Sequence, residues 1–363
     1  MSNTFGTIFR LTTFGESHSA AIGGVVDGCP AGIKIDFEKI ETAVQRRRPQ
    51  SETWSTQRKE ADRVIFLSGI KNGFTEGTPI AFIIKNTDVR PEDYADLAEV
   101  YRPNHADFTY RQKYNAFNDT DGGGRASARE TAARVVGGAI ASAVLQTLCP
   151  SLKIYAYTRS IGGVAIPADK KIDFSSVYCN AVRCPDETTT ARMEAILEQI
   201  RHEGDSLGGS VGCVVQGCPP GLGQPVFDKL SARLASAMIS IPAAKGFEIG
   251  DGFALTSQRG SEVVDTWIEA PEDARGIRTA QNHSGGIQGG ISNGENIVFN
   301  VAFKPVATMM REIETTDING RRTTVHPRGR HDVCVVPRAV PVVEAMTALV
   351  LADLFLIDSC CRV

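Results

Sequence analysis

"VVDGCPAGIKIDFEKI" (residues 25–40) and "VVQGCPPGLGQPVFDKL" (residues 214–230) are the same pattern with one residue inserted. Each reads as a β-branched strand, a Gly-Cys-Pro-x-Gly turn and then an amphipathic helix. In the first copy Asp36 is expected to cap the helix, with Phe37, Ile40 and Val44 on one face. In the second copy Leu230, Leu234 and Met238 hold the same spacing. The simplest reading is two related halves, divided near residues 180–205. Over so short a stretch, coincidence is the competing reading.

Working outward, "TPIAFIIKN" (78–86) and "ENIVFNVAFKP" (295–305) alternate as strands do. Ala132, Val135, Val136, Ala139, Ile140 and Val144 recur at helical spacing and predict a core helix. Strands and helices do not alternate regularly along the chain, so the expected class is α+β, with helices packed against antiparallel sheets. No low-complexity run or linker interrupts the chain, which predicts one domain over residues 1–363.

Composition bounds the function. The chain has 363 residues, 42% hydrophobic and 22% charged, with a net charge of −3. Bulk charge therefore argues for neither nucleic acid nor membrane, and any basic site must be local. No uninterrupted apolar run reaches the length of a membrane span. The N-terminus "MSNTFGTIFRLTTFGESHS" has no basic segment followed by an apolar core, so no signal peptide is expected. Nine scattered cysteines without a CxxC pair read as free thiols in a reducing cytoplasm. The 35 glycines cluster in GGG, GG and GxG groups, as tight turns and close ligand contacts require.

"DGGGRASARETAARVVGGAIA" (121–141) poses a local problem. It reads as glycines running into a helix whose first turn carries Arg125 and Arg129. Cations at a helix N-terminus are disfavoured by about 0.3–1 kcal/mol each. Like charges four residues apart repel by roughly 0.2–0.5 kcal/mol. An anionic ligand held by these guanidinium groups and by the exposed amides of the helix start would compensate. On that reading Arg129→Ala costs ligand binding far more than folding. Pairing with Asp121 or Glu130 is the alternative.

Three further segments carry basic or histidine residues: "FGESHS" with His18, "RRRPQ" with Arg46, Arg47 and Arg48, and "YRPNHADFTY" with Arg102 and His105. A last one, "RRTTVHPRGRHDVCVVPRAVP", adds Arg330, His331, Asp332 and Arg338. Arginines ending a helix also complement its dipole, so Arg46–Arg48 have a purely structural reading. His326, His331 and Cys334 lack the spacing and fourth ligand of a zinc site, and no metal is expected. "GGGRAS" is not a phosphate-binding P-loop, and "NHSGGIQGGISNG" (282–294) lacks the surroundings of a dinucleotide fingerprint. Guanidinium groups converging on a small polyanion is the functional reading. A protein that binds a phosphorylated or nucleic-acid ligand without catalysis is the rival, but no stacking-aromatic motif accompanies the arginines.

Taken together, "FGESHSAAIGGVVDGCPAG" (14–32), "GGGRASARETAARVVGGAIA" (122–141) and "GRHDVCVVPRAVPVVEAM" (329–346) resemble the chorismate synthase family, and "RPNHAD" (102–107) and "NHSGGIQGGISNG" add agreement. The resemblance implies anti-1,4-elimination of phosphate from 5-enolpyruvylshikimate 3-phosphate, giving chorismate. It also implies a requirement for reduced FMN, a sandwich of helices between antiparallel sheets, and a cytoplasmic homotetramer. His18 matches the acid that assists phosphate departure. His105 matches the histidine that protonates or stabilises the reduced flavin. Asp332, with the flavin, matches the group assigned to proton removal from carbon 6. Substrate contacts map to Ser17, Arg47, Arg48, Ser127 and Arg129. Flavin contacts map to Arg125, Ala126, Ser127, Pro242, Ala243, Gly289, Lys304, Pro305, Val306, Ala307, Thr308 and Arg330. Several positions depart from the family's usual residues: Ser19 replaces Gly, Ala126 replaces Ser, Pro242 replaces Asn, and no arginine stands near Thr53. The length leaves no room for an appended flavin reductase, so an external reductase would supply reduced FMN, with NADPH only an indirect reductant.

Overall fold

In the computed structural model, residues 3–50, 53–56, 60–89, 99–118, 122–325 and 332–361 are described. Both Gly-Cys-Pro-x-Gly turns close with the same hydrogen bonds. In the first, Thr75 Oγ1 donates to Pro30 O (2.6 Å) and accepts from Ile33 N (2.9 Å), and Gly32 N donates to Thr75 O (2.8 Å). In the second, Ser292 Oγ donates to Pro219 O (2.6 Å) and accepts from Leu222 N (2.9 Å), and Gly221 N donates to Ser292 O (2.8 Å). Gly28 and Gly217 have φ of +75° and +70°. A Cβ at either would lie 1.8 Å from Ile8 O or 2.4 Å from Ser151 O, so glycine is required at both. The echo in the sequence is therefore a structural repeat, not a coincidence.

The repeat extends to whole sheets. In spatial order the first sheet holds strands Thr4–Phe5, Arg10–Phe14, Ala21–Asp27, Ile80–Lys85 and Val64–Phe66. The second holds Val164–Ala165, Lys153–Ile161, Gly209–Gln216, Ile297–Phe303 and Ala244–Ile249. All pairings are antiparallel, and Val26 faces Ile80 as Val215 faces Ile297. The strands expected within 78–86 and 295–305 are the fourth member of each. The division near 180–205 is corrected: Lys153–Ile161 already belongs to the second sheet, so the halves part just after residue 148. The peripheral helix Glu187–His202, which lies in the region of the expected boundary, is inside the second half.

Six α-helices are described: α1 (Phe37–Arg47), α2 (Asp107–Lys113), α3 (Thr131–Leu148), α4 (Glu187–His202), α5 (Leu230–Ile239) and α6 (Val336–Ser359). Asp36 caps α1 as expected, its carboxylate accepting from Lys39 N (3.2 Å). Ile40 and Val44 are buried, but Phe37 is 44% exposed and lies edge-on to Phe66 at the sheet margin. Leu230, Leu234 and Met238 are all buried. α3 and α6 form the middle layer, α3 against the strands of the first sheet and α6 against Lys153–Ile161 and Gly209–Gln216. A methyl on Gly138 would lie 2.4 Å from Ala345, so the two helices touch backbone to backbone there. An alanine would cost about 1–3 kcal/mol of overpacking. The segments Ala128–Leu148 and Val336–Ser359 are long and apolar enough to cross a membrane, although charged residues interrupt them. Both are largely buried between the sheets, where apolarity serves the core. Buried Asp353 on α6 anchors the N-terminus by accepting from Thr7 N, Ile8 N and Phe9 N at 2.7–2.9 Å. All nine cysteines are free thiols.

Candidate active site

The arginine-bearing start of the core helix is not helical as expected. Gly124–Ala126 and Ala128–Glu130 are short 3-10 turns separated by extended Ser127 (ψ 142°), and α3 begins only at Thr131. The i,i+4 clash therefore never arises, because the two side chains leave in different directions. Arg125 donates to Gly15 O (3.0 Å) and Thr13 Oγ1 (2.8 Å). Arg129 donates to Asp62 Oδ1 and to Asn86 Oδ1 (2.9 Å). Buried Glu130 supplies the negative charge at the α3 N-terminus and takes bonds from Thr13 Oγ1 and Arg134 Nε, both 2.9 Å. The compensation sought in a ligand is thus largely internal. Arg129 is 6% exposed on a buried carboxylate, so its loss is expected to cost folding as well as ligand binding, not ligand binding far more.

Arg47, Arg48, Arg102, Arg129 and Arg338 line a cavity of about 220 Å³ together with His105, Ser127, Thr308 and Asp332. Arg47 arrives from the last turn of α1, where it both meets the helix dipole and enters the site. It is 3% exposed and donates through Nε to Thr131 Oγ1 (2.7 Å) and through NH2 to Ala128 O. Burial pushes its guanidinium down to about 9, with Arg338 and Arg129 adding to the shift and Asp62 opposing it. It stays protonated at neutral pH.

His105 and Asp332 are each held by fixed partners. His105 Nδ1 lies 2.6 Å from Asp107 Oδ1, and Arg102 grips the same carboxylate at 2.6 and 2.7 Å. Burial pushes Asp107 up, but the bonds from His105 and Arg102 outweigh it and hold the carboxyl well below the usual range. An ionised Asp107 keeps the proton of His105 on Nδ1, which leaves Nε2 for other chemistry. Asp332 accepts from Thr56 N (2.9 Å) and from Arg338 NH1.

A second, contiguous cavity of about 730 Å³ shares His105, Ala126, Val306, Ala307, Asp332 and Arg338 with the first. Its apolar wall comes from Ile239, Ile241, Val306, Ala307 and Val342, and its rim carries Arg125, Arg134, Lys245 and Lys304. Pro242, Ala243 and Pro305 also line it. Ala243 is left-handed (φ +69°) and its carbonyl accepts from Lys304 N (3.0 Å). Lys304 Nζ donates to Asn104 O (2.8 Å), bridging the two halves, and burial followed by repulsion from Lys245 lowers its pKa. An apolar slot with a cationic rim fits a planar ring system bearing a phosphate tail.

Not every expected residue enters these cavities. The His18 ring packs so closely on Gly122 that a Cβ there would lie 2.4 Å from its Cε1, and Nδ1 is 2.9 Å from Ser17 Oγ. Both stand behind Gly122, next to Gly123 in the cavity wall. Gly289 sits in the turn between strands Ile287–Gln288 and Ile291–Ser292, away from both cavities within one chain. Arg330, His326 and His331 lie outside the described residues. Cys334 is buried, and burial pushes its thiol up to about 12. No group of three His, Cys, Asp or Glu suited to a metal occurs among the described residues. Ser19 ties its turn together, donating to Ala21 O (2.9 Å) and Glu16 O (3.0 Å). Sequence reasoning missed Glu60 and Asp62, which line the smaller cavity, and Arg134, Tyr110 and Lys245, which line the larger. The run "KEADR" holding the two acids looks like solvated loop, and no periodicity marks them as buried.

A family profile described as chorismate synthase matches residues 9–356. The chorismate synthase of Christiangramia forsetii is 53% identical over 355 residues, 98% of this chain and 97% of its own length. That of Bacteroides fragilis is 52% identical over 359 residues, 99% of each. A crystal structure of a chorismate synthase superposes with a TM-score of 0.75 at 30% identity, covering 97% of this chain and 93% of that one. With near-complete coverage in each comparison and a matching fold, the chain belongs to the chorismate synthase family.

Proposed function

We propose that this chain removes phosphate from 5-enolpyruvylshikimate 3-phosphate by anti-1,4-elimination, a carbon–oxygen lyase reaction that gives chorismate and requires reduced FMN. The observation that carries the reading is the contiguity of the two cavities: an arginine-walled cleft opens onto an apolar slot, and His105 and Asp332 line both. A substrate with one phosphate and two carboxylates matches the several guanidinium groups of the smaller cleft. The larger cavity fits the flavin, with Val306, Ala307 and Ile241 against the ring and Arg125 or Lys304 near the phosphate tail. Bound reduced FMN supplies electron density that eases phosphate departure and recovers it afterwards.

The chain's own residues do the rest. Arg47, Arg48 and Arg129 hold the anionic groups and orient the ring. The family resemblance assigns His18, steadied by Ser17, to protonation of the departing phosphate oxygen, which requires its ring to turn past Gly122 into the cleft, and Asp332 accepts the proton from carbon 6. Arg338 and Thr56 N keep that carboxylate in one orientation. His105, steered by Asp107, holds or delivers a proton at the junction of the cavities. Ser127 and Thr308 add polar contacts, and Ala126, Pro242, Ala243 and Pro305 shape the flavin wall. Gly289 and Arg330 are assigned to the flavin by the family resemblance alone, which also implies a homotetramer. We place the enzyme in the cytoplasm, supplied with reduced FMN by an external reductase.

Anaerobic incubation with dithionite-reduced FMN and the enolpyruvyl substrate tests this by phosphate release. Release that depends on reduced flavin is expected. No release, or release indifferent to flavin, contradicts the reading.

A further inference from the structure

Five arginines wall the smaller cavity, yet one of its most deeply buried groups is a carboxylate. The Asp62 side chain is 2% exposed and lies between two guanidinium groups. Arg129 NH1 donates to its Oδ1, and Arg47 NH1 is 3.9 Å from its Oδ2. The residue lies outside any helix or strand, in left-handed backbone (φ +51°) that Asp and Asn tolerate better than most residues. Without it, Arg129 would lose its carboxylate partner and Arg47 the first of its two neighbouring carboxylates, leaving like charges side by side in a buried wall, which is costly. With it, any incoming anion must compete for the same donors.

We infer that Asp62 is a positioning and specificity residue: an internal anion that holds Arg47 and Arg129 side by side and weakens the cleft's grip on small anions. Inorganic phosphate meets guanidinium groups already engaged. A larger polyanion that also reaches Arg48 and Arg338 gains contacts that offset the competition. The same competition speeds loss of the phosphate product. This rests on the reading of the cleft as the substrate site given above.

The test titrates inorganic phosphate into the flavin-free protein by calorimetry. Asp62→Asn keeps an acceptor for Arg129 and suits the left-handed backbone while removing the charge. Removing one unit charge a few ångströms from a bound anion in a partly screened site predicts about tenfold tighter phosphate. Asp62→Glu, which keeps the charge, is expected within about twofold of the native protein. In turnover, Asp62→Asn should lower KM and kcat together, with phosphate a stronger product inhibitor. A merely structural role would lower activity without tightening phosphate. Should the Asn variant not fold, Asp62→Gly, also neutral and suited to positive φ, makes the same prediction. Phosphate affinity that is unchanged or weaker in the neutral variant overturns the inference. If phosphate tightens while the native enzyme never releases phosphate from the substrate, the proposed reaction fails and the role of Asp62 stands. If the enzyme turns over and phosphate does not tighten, only the role of Asp62 fails.

Discussion

The segment between Lys85 and Thr131 in the first half and the one between Phe303 and Val336 in the second hold the same place in the repeat. Each runs from a central strand to a long core helix, and the two meet at the candidate site. The first delivers Arg102, His105, Arg125 and Arg129; the second delivers Lys304, Pro305, Val306, Ala307, Thr308 and Asp332. The helix preceding each segment shows the same contrast. α1 ends in Arg46 and Arg47 with Arg48 as its C-cap, whereas α5 ends at Ile239 and leads to Pro242 and Ala243. Of the five arginines in the smaller cavity, only Arg338 comes from the second half, so a duplicated scaffold has specialised into a charged wall and an apolar wall. A ligand with an anionic part and a flat apolar part fits such a junction better than it fits either half.

The largest expected effect breaks that division at its reactive groups. His18→Ala and His105→Ala, both in the first half, should lower turnover by about 10²–10⁴ while flavin still binds to the wall of the second half. Single-turnover phosphate release with a parallel flavin titration reads both quantities, and full activity in both variants contradicts the assignment. Next, Arg129→Ala should cost about 3–5 kcal/mol of stability, because it leaves buried Asp62 without its nearest partner. Denaturant unfolding that matches the native protein would show the charged wall to be less integrated than described.

A smaller effect probes the scaffold the halves share. Thr75→Val and Ser292→Ala each remove a hydroxyl that donates to a proline carbonyl and accepts a backbone amide. Each should cost about 1–3 kcal/mol, and by similar amounts. A large loss in one half and none in the other would deny the turns' equivalence. The smallest effect concerns pH. Asp107 has a folded-state pKa held below its unfolded value, so its stabilisation is present above about pH 4 and is lost as pH falls through the depressed value. The difference in melting temperature between the native protein and Asp107→Asn should shrink as pH falls below about pH 4.

The repeat was legible in the sequence because strand, turn and helix are local. The boundary between halves was not, since strand Lys153–Ile161 pairs with the sheet's central strand Gly209–Gln216 through partners more than forty residues away. The hydroxyls closing the turns were invisible for the same reason, as Thr75 is 42 residues from Ile33 and Ser292 is 70 from Leu222. Most of the expected residues line the two cavities, and distinctive motifs carry them. Asp62 was not, because its burial between Arg47 and Arg129 is created entirely by tertiary packing. The helix reading across Arg125 and Arg129 failed where Ser127 turns extended and splits the segment into two short turns.

The most direct test is a crystal structure with FMN and 5-enolpyruvylshikimate 3-phosphate bound together. The account predicts the phosphate and carboxylates on Arg47, Arg48 and Arg129, with the flavin ring stacked over them against Pro242, Ala243, Val306 and Ala307. Ligands on separate faces of the molecule, or a flavin ring seated among the arginines, would contradict it.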